Sequence, residues 1–375
     1  MRFITTCLFG LEKLAGEDID RLGYERISTT DGRIEFEAPS EAVAYCNINF
    51  RYSERVLIKL GSFAATTFDA LFEGTKALPW ENYISRSDAF PVKGHSIKSK
   101  LFSVPDCQSI IKKAVCARLG GKYGLQRLPE TGVKKQIVFF IMNDEACLMI
   151  DTTGEALHKR GYRTEANIAP IRETLAAAMV ALSRPRENVI TVDPMCGSGT
   201  IPIEAALLAS DTAPGINRGF SAEAFGLVDK KAFADAREEA RSRIKPPAMG
   251  IYGLDIDNNC IETSHANSLR AGTQDWIDFK AGDITQFTSP VPEARGTIVC
   301  NPPYGERMLD REAVARLEKA MGAALTKAVP AWQLYFISSD EMFERNYGRY
   351  ADKKRTLYNG MIKCLFYQYF KTVKH

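Results

Sequence analysis

The chain has 375 residues, 45% hydrophobic and 25% charged, with a formal net charge of +3. That is an ordinary globular composition with room for two or three domains, and no apolar run approaches the ~20 residues of a membrane helix. Nine cysteines without a C-x-x-C pair argue against a zinc ribbon or a disulfide framework, and point to reduced thiols, no metal and a cytoplasmic location.

From the N-terminus, "RFITTCLF" reads as a strand, "LEKLAGEDIDRL" as a helix and "GRIEFEA" as a half-buried strand. "EAVAYCNINFRY" and "RVLIKLGSF" continue as helix and strand, which makes residues 1–60 a small α+β unit. A second unit covers 61–157. It holds a helix in "TFDALFEGTKAL", a strand in "FPVKGHSIKS" and a helix opening at Asp106 as N-cap and closing on glycine. A hairpin turning at Asn143-Asp144 completes it. Residues 158–169 read as a linker. From 170 to 375, strands and helices alternate as in a parallel sheet with crossover helices.

The most informative stretch is "NVITVDPMCGSGTIPIEAALLA". A strand ends at Asp193, Gly197 and Gly199 make a tight turn, and a helix starts near Thr200. Such a turn lies where open α/β sheets bind cofactors, at the carboxyl ends of their strands. The Lys of a P-loop is missing, and so is the full dinucleotide pattern. An acid before the turn suits a cationic amino group better than a pyrophosphate. The next strand ends at Asp255, placed to accept from two ribose hydroxyls, while Asp257 reads as a helix cap. A third strand ends at Asp283, which is either a partner for an adenine amino group or a turn aspartate. Three acids at three successive strand ends describe a nucleoside with a charged amino-acid tail, S-adenosylmethionine.

A fourth strand, "GTIVC", is cut off by "NPPYGER". Consecutive prolines cannot continue a ladder. An exocyclic amino group is a weak nucleophile because its lone pair is delocalised into the ring. Two acceptors that grip its hydrogens, the Asn301 side chain and the Pro302 carbonyl, localise and aim that pair. Tyr304 offers a face on which the base can stack.

"DPMCGSGT", "GLDID", "GDIT" and "NPPYGER" resemble the motifs of class I S-adenosylmethionine-dependent methyltransferases that modify amino groups. With "HKRGYR", "APIRETLAAA", "APGINRGF" and the N-terminal "PWENYI", "FPVKGHSIKSKL" and "CQSIIKKA", nearly the whole chain resembles the THUMP-domain RNA guanine-N2 methyltransferases of the bacterial RlmL type. The resemblance implies an α/β fold: a Rossmann-like methyltransferase domain preceded by a ferredoxin-like piece and a THUMP domain. It implies cofactor residues at Asp193, Cys196, Gly197, Gly199, Asp255 and Asp283, and catalytic ones at Asn301, Pro302 and Tyr304. It further implies a C-terminal hairpin turning at Asn359-Gly360. Met195 stands where Phe is common in the family, and longer relatives carry a second methyltransferase domain. The substrate expected is 23S rRNA. The alternatives are tRNA guanine, adenine-N6, or a noncatalytic ribosome-assembly factor.

Charge supports an RNA partner. Ten Lys and Arg against two acids give residues 92–135 a charge of +8, as a polyanion contact requires. Lys98 and Lys100 are expected to alternate along a strand, and Lys112 and Lys113 to lie on a helix. Lys159, Arg160 and Arg163 are expected to bridge RNA between the halves, with Arg218 and Phe220 along the RNA path. A solvated face and interdomain ion pairs are the competing readings.

Overall fold

The computed structural model describes residues 1–163, 171–303 and 311–370. Two seven-stranded sheets organise the chain.

The first sheet is built from β1 (Arg2–Cys7), α1 (Glu12–Arg21), β2 (Glu25–Thr30), β3 (Arg33–Glu37), α2 (Ala42–Asn49), β4 (Ser53–Ala64), α3 (Phe68–Ala77), β5 (Val92–Ile97), α4 (Val104–Tyr123), β6 (Ile137–Met142) and β7 (Glu145–Asp151). Its strand order is β2-β3-β1-β4-β7-β6-β5, antiparallel except for the β5–β6 pair. One long strand, β4, pairs with β1 on one side and with β7 on the other. The boundary expected between 60 and 61 therefore falls inside a strand shared by both units.

Local expectations hold with small shifts. Asn143 and Asp144 both have positive φ in the β6–β7 turn, the geometry that matches strand twist in a two-residue hairpin. Gly124, left-handed at φ 65, ends α4. That helix begins earlier than expected, with Pro105 in its first turn, so Asp106 lies inside the first turn and is not the cap.

The second sheet contains α5 (Glu173–Leu182), β8 (Ile190–Asp193), α6 (Thr200–Ala209), α7 (Lys230–Ser242), β9 (Ile251–Asp255), α8 (Asn258–Ala271), β10 (Ile277–Ala281), β11 (Gly296–Cys300), α9 (Arg311–Ala328), β12 (Gln333–Ser338), α10 (Phe343–Tyr347), β13 (Lys353–Asn359) and β14 (Ile362–Tyr369). The order is β10-β9-β8-β11-β12-β14-β13, parallel through β12 and antiparallel in the last two. Strand order reverses between β8 and β11, and a ligand crevice opens at such a switch point. In the final hairpin Asn359 pairs with Ile362. The turn is therefore Gly360-Met361, one residue later than expected, with Gly360 at φ 65 supplying the positive φ.

A polar seam joins the halves. The buried Arg51 donates to the carbonyls of Thr212 (2.7 Å) and Leu207 (3.3 Å). Gly215 N–H bonds the Ile48 carbonyl at 2.9 Å, where a Cβ on Gly215 would meet Asn47 O at 2.6 Å. Farther along, Ser221 and Ala222 N–H groups bond the Thr153 and Thr152 carbonyls. The segment inserted between β8 and β9 is thus the mortar between the two units.

Candidate active site

The glycine turn forms as its sequence demands. Gly197 and Gly199 have φ of 54 and 78, conformations that a side chain resists. A Cβ on Gly199 would also stand 3.0 Å from Ser264. The turn is held from three directions. Cys196 N–H bonds the Leu254 carbonyl (2.8 Å), Ser264 Oγ donates to the Gly197 carbonyl (2.8 Å), and Asn267 Nδ2 donates to the Ser198 carbonyl (2.9 Å). Ser264 and Asn267 escaped the sequence reading. Their signal is a pair of buried polar residues three apart on α8, the spacing of one helix face.

The carboxylates differ in environment. Asp193 ends β8 fully buried. Burial pushes its pKa up to about 7, against the pull of hydrogen bonds from Met195 N–H and the Cys300 thiol, with the Asp255 charge adding to the rise. Among the described residues it has no cationic partner. Asp255 is half-buried; its two oxygens accept from Gly197 N–H (2.9 Å) and Asp257 N–H (3.0 Å), which leaves further lone pairs for a ligand. Asp257 caps α8 through Asn259 N–H, as expected. Asp283 accepts from Thr285 N–H at 2.8 Å, so the turn-aspartate reading holds for one of its oxygens. The thiol of Cys196 is buried at 3.8 Å from Ser264 Oγ, and burial raises its pKa; its bonds serve the turn.

Across the switch point, β11 pairs with β8 so that Ile298 faces Val192. Asn301 therefore lies two strand positions beyond the level of Asp193, at the crevice. Its Oδ1 is buried and has no hydrogen-bond partner among the described residues. An unsatisfied buried acceptor costs about 1–3 kcal/mol, and a donor brought by a ligand would satisfy it. Pro302 is buried beside it. Tyr304 lies outside the described residues.

A cofactor with a cationic amino-acid tail fits these residues. An uncompensated buried carboxylate is costly unless a cation meets it, and Asp193 is such a group. The glycines leave the turn's backbone open to close approach, and Asp255 faces it.

The expected RNA residues divide. Lys98, Lys100, Lys113 and Lys159 are exposed. Lys98 and Lys100 are not on a strand, because β5 ends at Ile97 and Lys98 turns the chain with φ of 50. Lys112 is committed inward: it bonds Glu130 at 2.5 Å and sits 3.5 Å over the Phe90 ring. Lys159 pairs with Glu155 at 3.2 Å. Arg160 is buried, donating to Arg51 O (2.5 Å) and Leu157 O (2.8 Å) and facing Glu204 at 3.5 Å. Arg163 pairs with Glu173 at 3.2 Å and donates to Ile171 O. Arg160 is occupied across the seam, and Arg163 within the methyltransferase unit. Arg218 likewise donates to the carbonyls of Glu155, Ala156 and Lys159, and Phe220 is buried.

Comparison with known proteins agrees with this architecture. Residues 160–368 match the family described as RMKL-like, methyltransferase domain; residues 2–57 match the RlmL ferredoxin-like domain and 65–151 the THUMP domain. The chain belongs to the RMKL-like methyltransferase family. It is 40% identical over 99% of its length, and 96% of the relative's, to "Putative RNA methyltransferase YpsC" of Bacillus subtilis (strain 168). It is 33% identical to "Ribosomal RNA large subunit methyltransferase K/L" of Aliivibrio fischeri (strain MJ11), matching 95% of this chain but spanning about half, 51%, of that protein. Among the solved structures that resemble it over nearly all of both chains are two. One, SMU.472, is "a putative methyltransferase complexed with SAH" (38% identity, 100% and 99% covered, TM-score 0.91). The other is "a predicted N6-adenine-specific DNA methylase" from Listeria monocytogenes str. 4b F2365 (44% identity, 98% and 95% covered, TM-score 0.90). The protein is a methyltransferase of the class I fold, with S-adenosylmethionine as its cofactor.

Proposed function

We propose that the protein methylates the exocyclic N2 amino group of a guanine in RNA, most plainly large-subunit rRNA. The observation that carries this reading is the orphaned, buried Oδ1 of Asn301 at the crevice. It is an acceptor with nothing to accept, at the strand end next to a glycine turn suited to the cofactor. When bound, S-adenosylmethionine supplies an electrophilic methyl group. Asp193 would hold its ammonium, Asp255 the ribose hydroxyls and Asp283 the adenine amino group. Asn301 Oδ1 and the Pro302 carbonyl would each accept one N–H of the target amine, which turns its lone pair out of the ring. Tyr304 would stack on the base. The residues contribute positioning and preorganised electrostatics. A paired guanine uses its amino group in the pair, so the target must be unpaired or flipped out.

Residues 1–60 and 61–157 would act as the ferredoxin-like and THUMP parts of an RNA-holding unit, 158–169 as linker and 170–375 as the methyltransferase. The exposed Lys98, Lys100, Lys113 and Lys159 would meet phosphates. A cytoplasmic site of action accords with this substrate.

Nucleoside mass spectrometry of rRNA and tRNA from a deletion strain tests the reading. It should reveal one missing N2-methylguanosine in large-subunit rRNA, restored by the wild-type gene and not by Asn301→Ala. Loss of a methyl from adenine or from tRNA instead would overturn the assignment of base or of RNA class.

A further inference from the structure

The C-terminal hairpin has an exposed apolar tip that packing does not explain. Met361 is 97% exposed, Ile362 46%, and Phe9, from the turn after β1, 52%. The Phe9 ring meets Tyr358 edge-on, with centroids 5.7 Å apart at 73°. This contact joins the first sheet's unit to the second. Gly10, at φ 89, makes it possible, because a Cβ there would lie 2.8 Å from Thr356 O. Lys363, exposed beside the tip, forms no ion pair among the described residues.

Register fixes where this cluster stands. Cys300 is level with Phe336, and Phe336 with Tyr367. Met361 precedes Tyr367 by six residues along β14 and its turn, so at ~3.3 Å per residue the tip rises roughly 20 Å beyond the level of Cys300, where β11 ends. It rises on the crevice side, two strands across from β11, or about 10 Å. The hairpin is a wall beside the site, and its cap is ring, thioether and lysine.

We propose that Phe9, Tyr358 and Met361 form a stacking platform for an unpaired nucleotide flanking the target, with Lys363 on its phosphate. The inference rests on the RNA reading above. An aromatic edge and an exposed thioether suit the face of a base, which every nucleotide offers regardless of sequence. Continuity with the crevice favours the substrate's own flanking strand over an unrelated partner. The platform is assembled before any RNA arrives, because the Phe9–Tyr358 contact and the Gly10 close approach already dock the two units. It would grip the single-stranded flank while the target base enters the crevice.

The test is fluorescence anisotropy with the full chain and a labelled single-stranded RNA of roughly 15 nucleotides, beside the same sequence as a duplex. The Phe9→Ala/Met361→Ala variant should bind the single strand about tenfold more weakly. Duplex binding and the salt slope should be unchanged, since no phosphate contact is removed. Met361→Ala alone, at a fully exposed position, should weaken binding without moving the melting temperature, and Phe9→Tyr should restore wild-type affinity. Equal affinity of variant and wild type for the single strand overturns the platform, while wild-type methylation of extracted rRNA in the same preparation leaves the RNA reading intact. A wild-type protein that neither binds the single strand nor methylates rRNA removes both. Self-association of the wild type that Met361→Asp abolishes, with RNA affinity unmoved, would assign the patch to a second copy and end the proposal.

Discussion

The protein buries charge in two places and treats it in opposite ways. At and beside the seam between the halves, Arg51, Arg160, Glu173 and Glu204 are withdrawn from water, each beside an opposite charge or a carbonyl. Nearby, Glu54 would be pushed up by burial, yet bonds from His158 and Thr174 and the Arg172 charge hold its pKa below the ordinary value. At the crevice, Asp193 is equally buried with no cation, and Asn301 Oδ1 has no donor among the described residues. In the seam the charges meet partners, although Arg51 Nη1, Glu173 Oε2 and Glu204 Oε2 have no hydrogen-bond partner among the described residues; at the crevice the carboxylate of Asp193 meets no cation among them. Buried charge that meets its opposite marks architecture, and a buried carboxylate with no cation marks a site more sharply than a single open atom does.

The contrast breaks most forcefully at Arg160. Arg160→Ala leaves the buried Glu204 with the Tyr162 hydroxyl but no paired cation among the described residues, and frees the Arg51 and Leu157 carbonyls, so stability should fall by about 3–5 kcal/mol, read as a lower urea midpoint. If the midpoint held and RNA affinity fell instead, the seam would be an RNA surface and the distinction would fail.

Asn301→Ala should do the reverse. Methyl transfer should drop by roughly 10²–10³-fold, the cost of losing one preorganised partner of the reacting group. Stability should hold or rise slightly, because the residue removed was an unsatisfied acceptor. Single-turnover rates and a urea titration on the same preparation separate the two effects.

Asp193 sharpens the comparison through pH. Its folded-state pKa, near 7, lies above the ordinary carboxylate range, so the ligand-free protein prefers it protonated. Its contribution to stability is therefore largest at low pH and is lost as pH rises from about 4 to about 7. Binding of the cationic tail needs the ionised form. Affinity for the cofactor or its demethylated product should therefore weaken by up to tenfold per pH unit below about 7. Calorimetric titrations across that window should show the trend for wild type and lose it in Asp193→Asn. Asp18 and Glu318 are also raised, to about 6 and about 7, chiefly by burial, so the variant comparison is what isolates Asp193.

How much of this was legible in the sequence follows from range. The glycine turn, Asp193 and Asp255 at their strand ends, the Asn143-Asp144 turn and the Asp257 cap depend on neighbours within a few residues, and they sit where expected; Asp283 falls two residues past the end of β10, as a cap. The glycine turn's clamps, Ser264 and Asn267, act across more than sixty residues, and nothing near them in sequence announces the partner. The partners of Arg160 are hidden by distance in the same way, whereas Arg163 meets Glu173 only ten residues on. In "HKRGYR" the two arginines read as a basic run, and only the fold brings Glu204, Glu173 and the Arg51 carbonyl to them. The single sheet spanning 2–151 was hidden because β4 looks like the end of one unit when it is also the start of the next.

The smallest effect lies in two adjacent lysines. Lys112 and Lys113 carry the same charge one position apart on α4, and helix geometry turns them to different faces. Lys112 lies 3.5 Å over the Phe90 ring and pairs with Glu130 at 2.5 Å; Lys113 is exposed, its ammonium 5.9 Å from the Phe72 ring centroid and without an ion pair among the described residues. Lys112→Ala should cost about 1 kcal/mol of stability through the lost pair and cation–π contact, with the salt dependence of RNA binding unchanged. Lys113→Ala should leave the urea midpoint alone and reduce the slope of log affinity against log salt by about 1, the signature of one phosphate contact. Should Lys112 carry the slope and Lys113 the stability, the pairing seen here would be secondary to RNA, and the rule separating seam from surface would have to be given up for the whole basic segment.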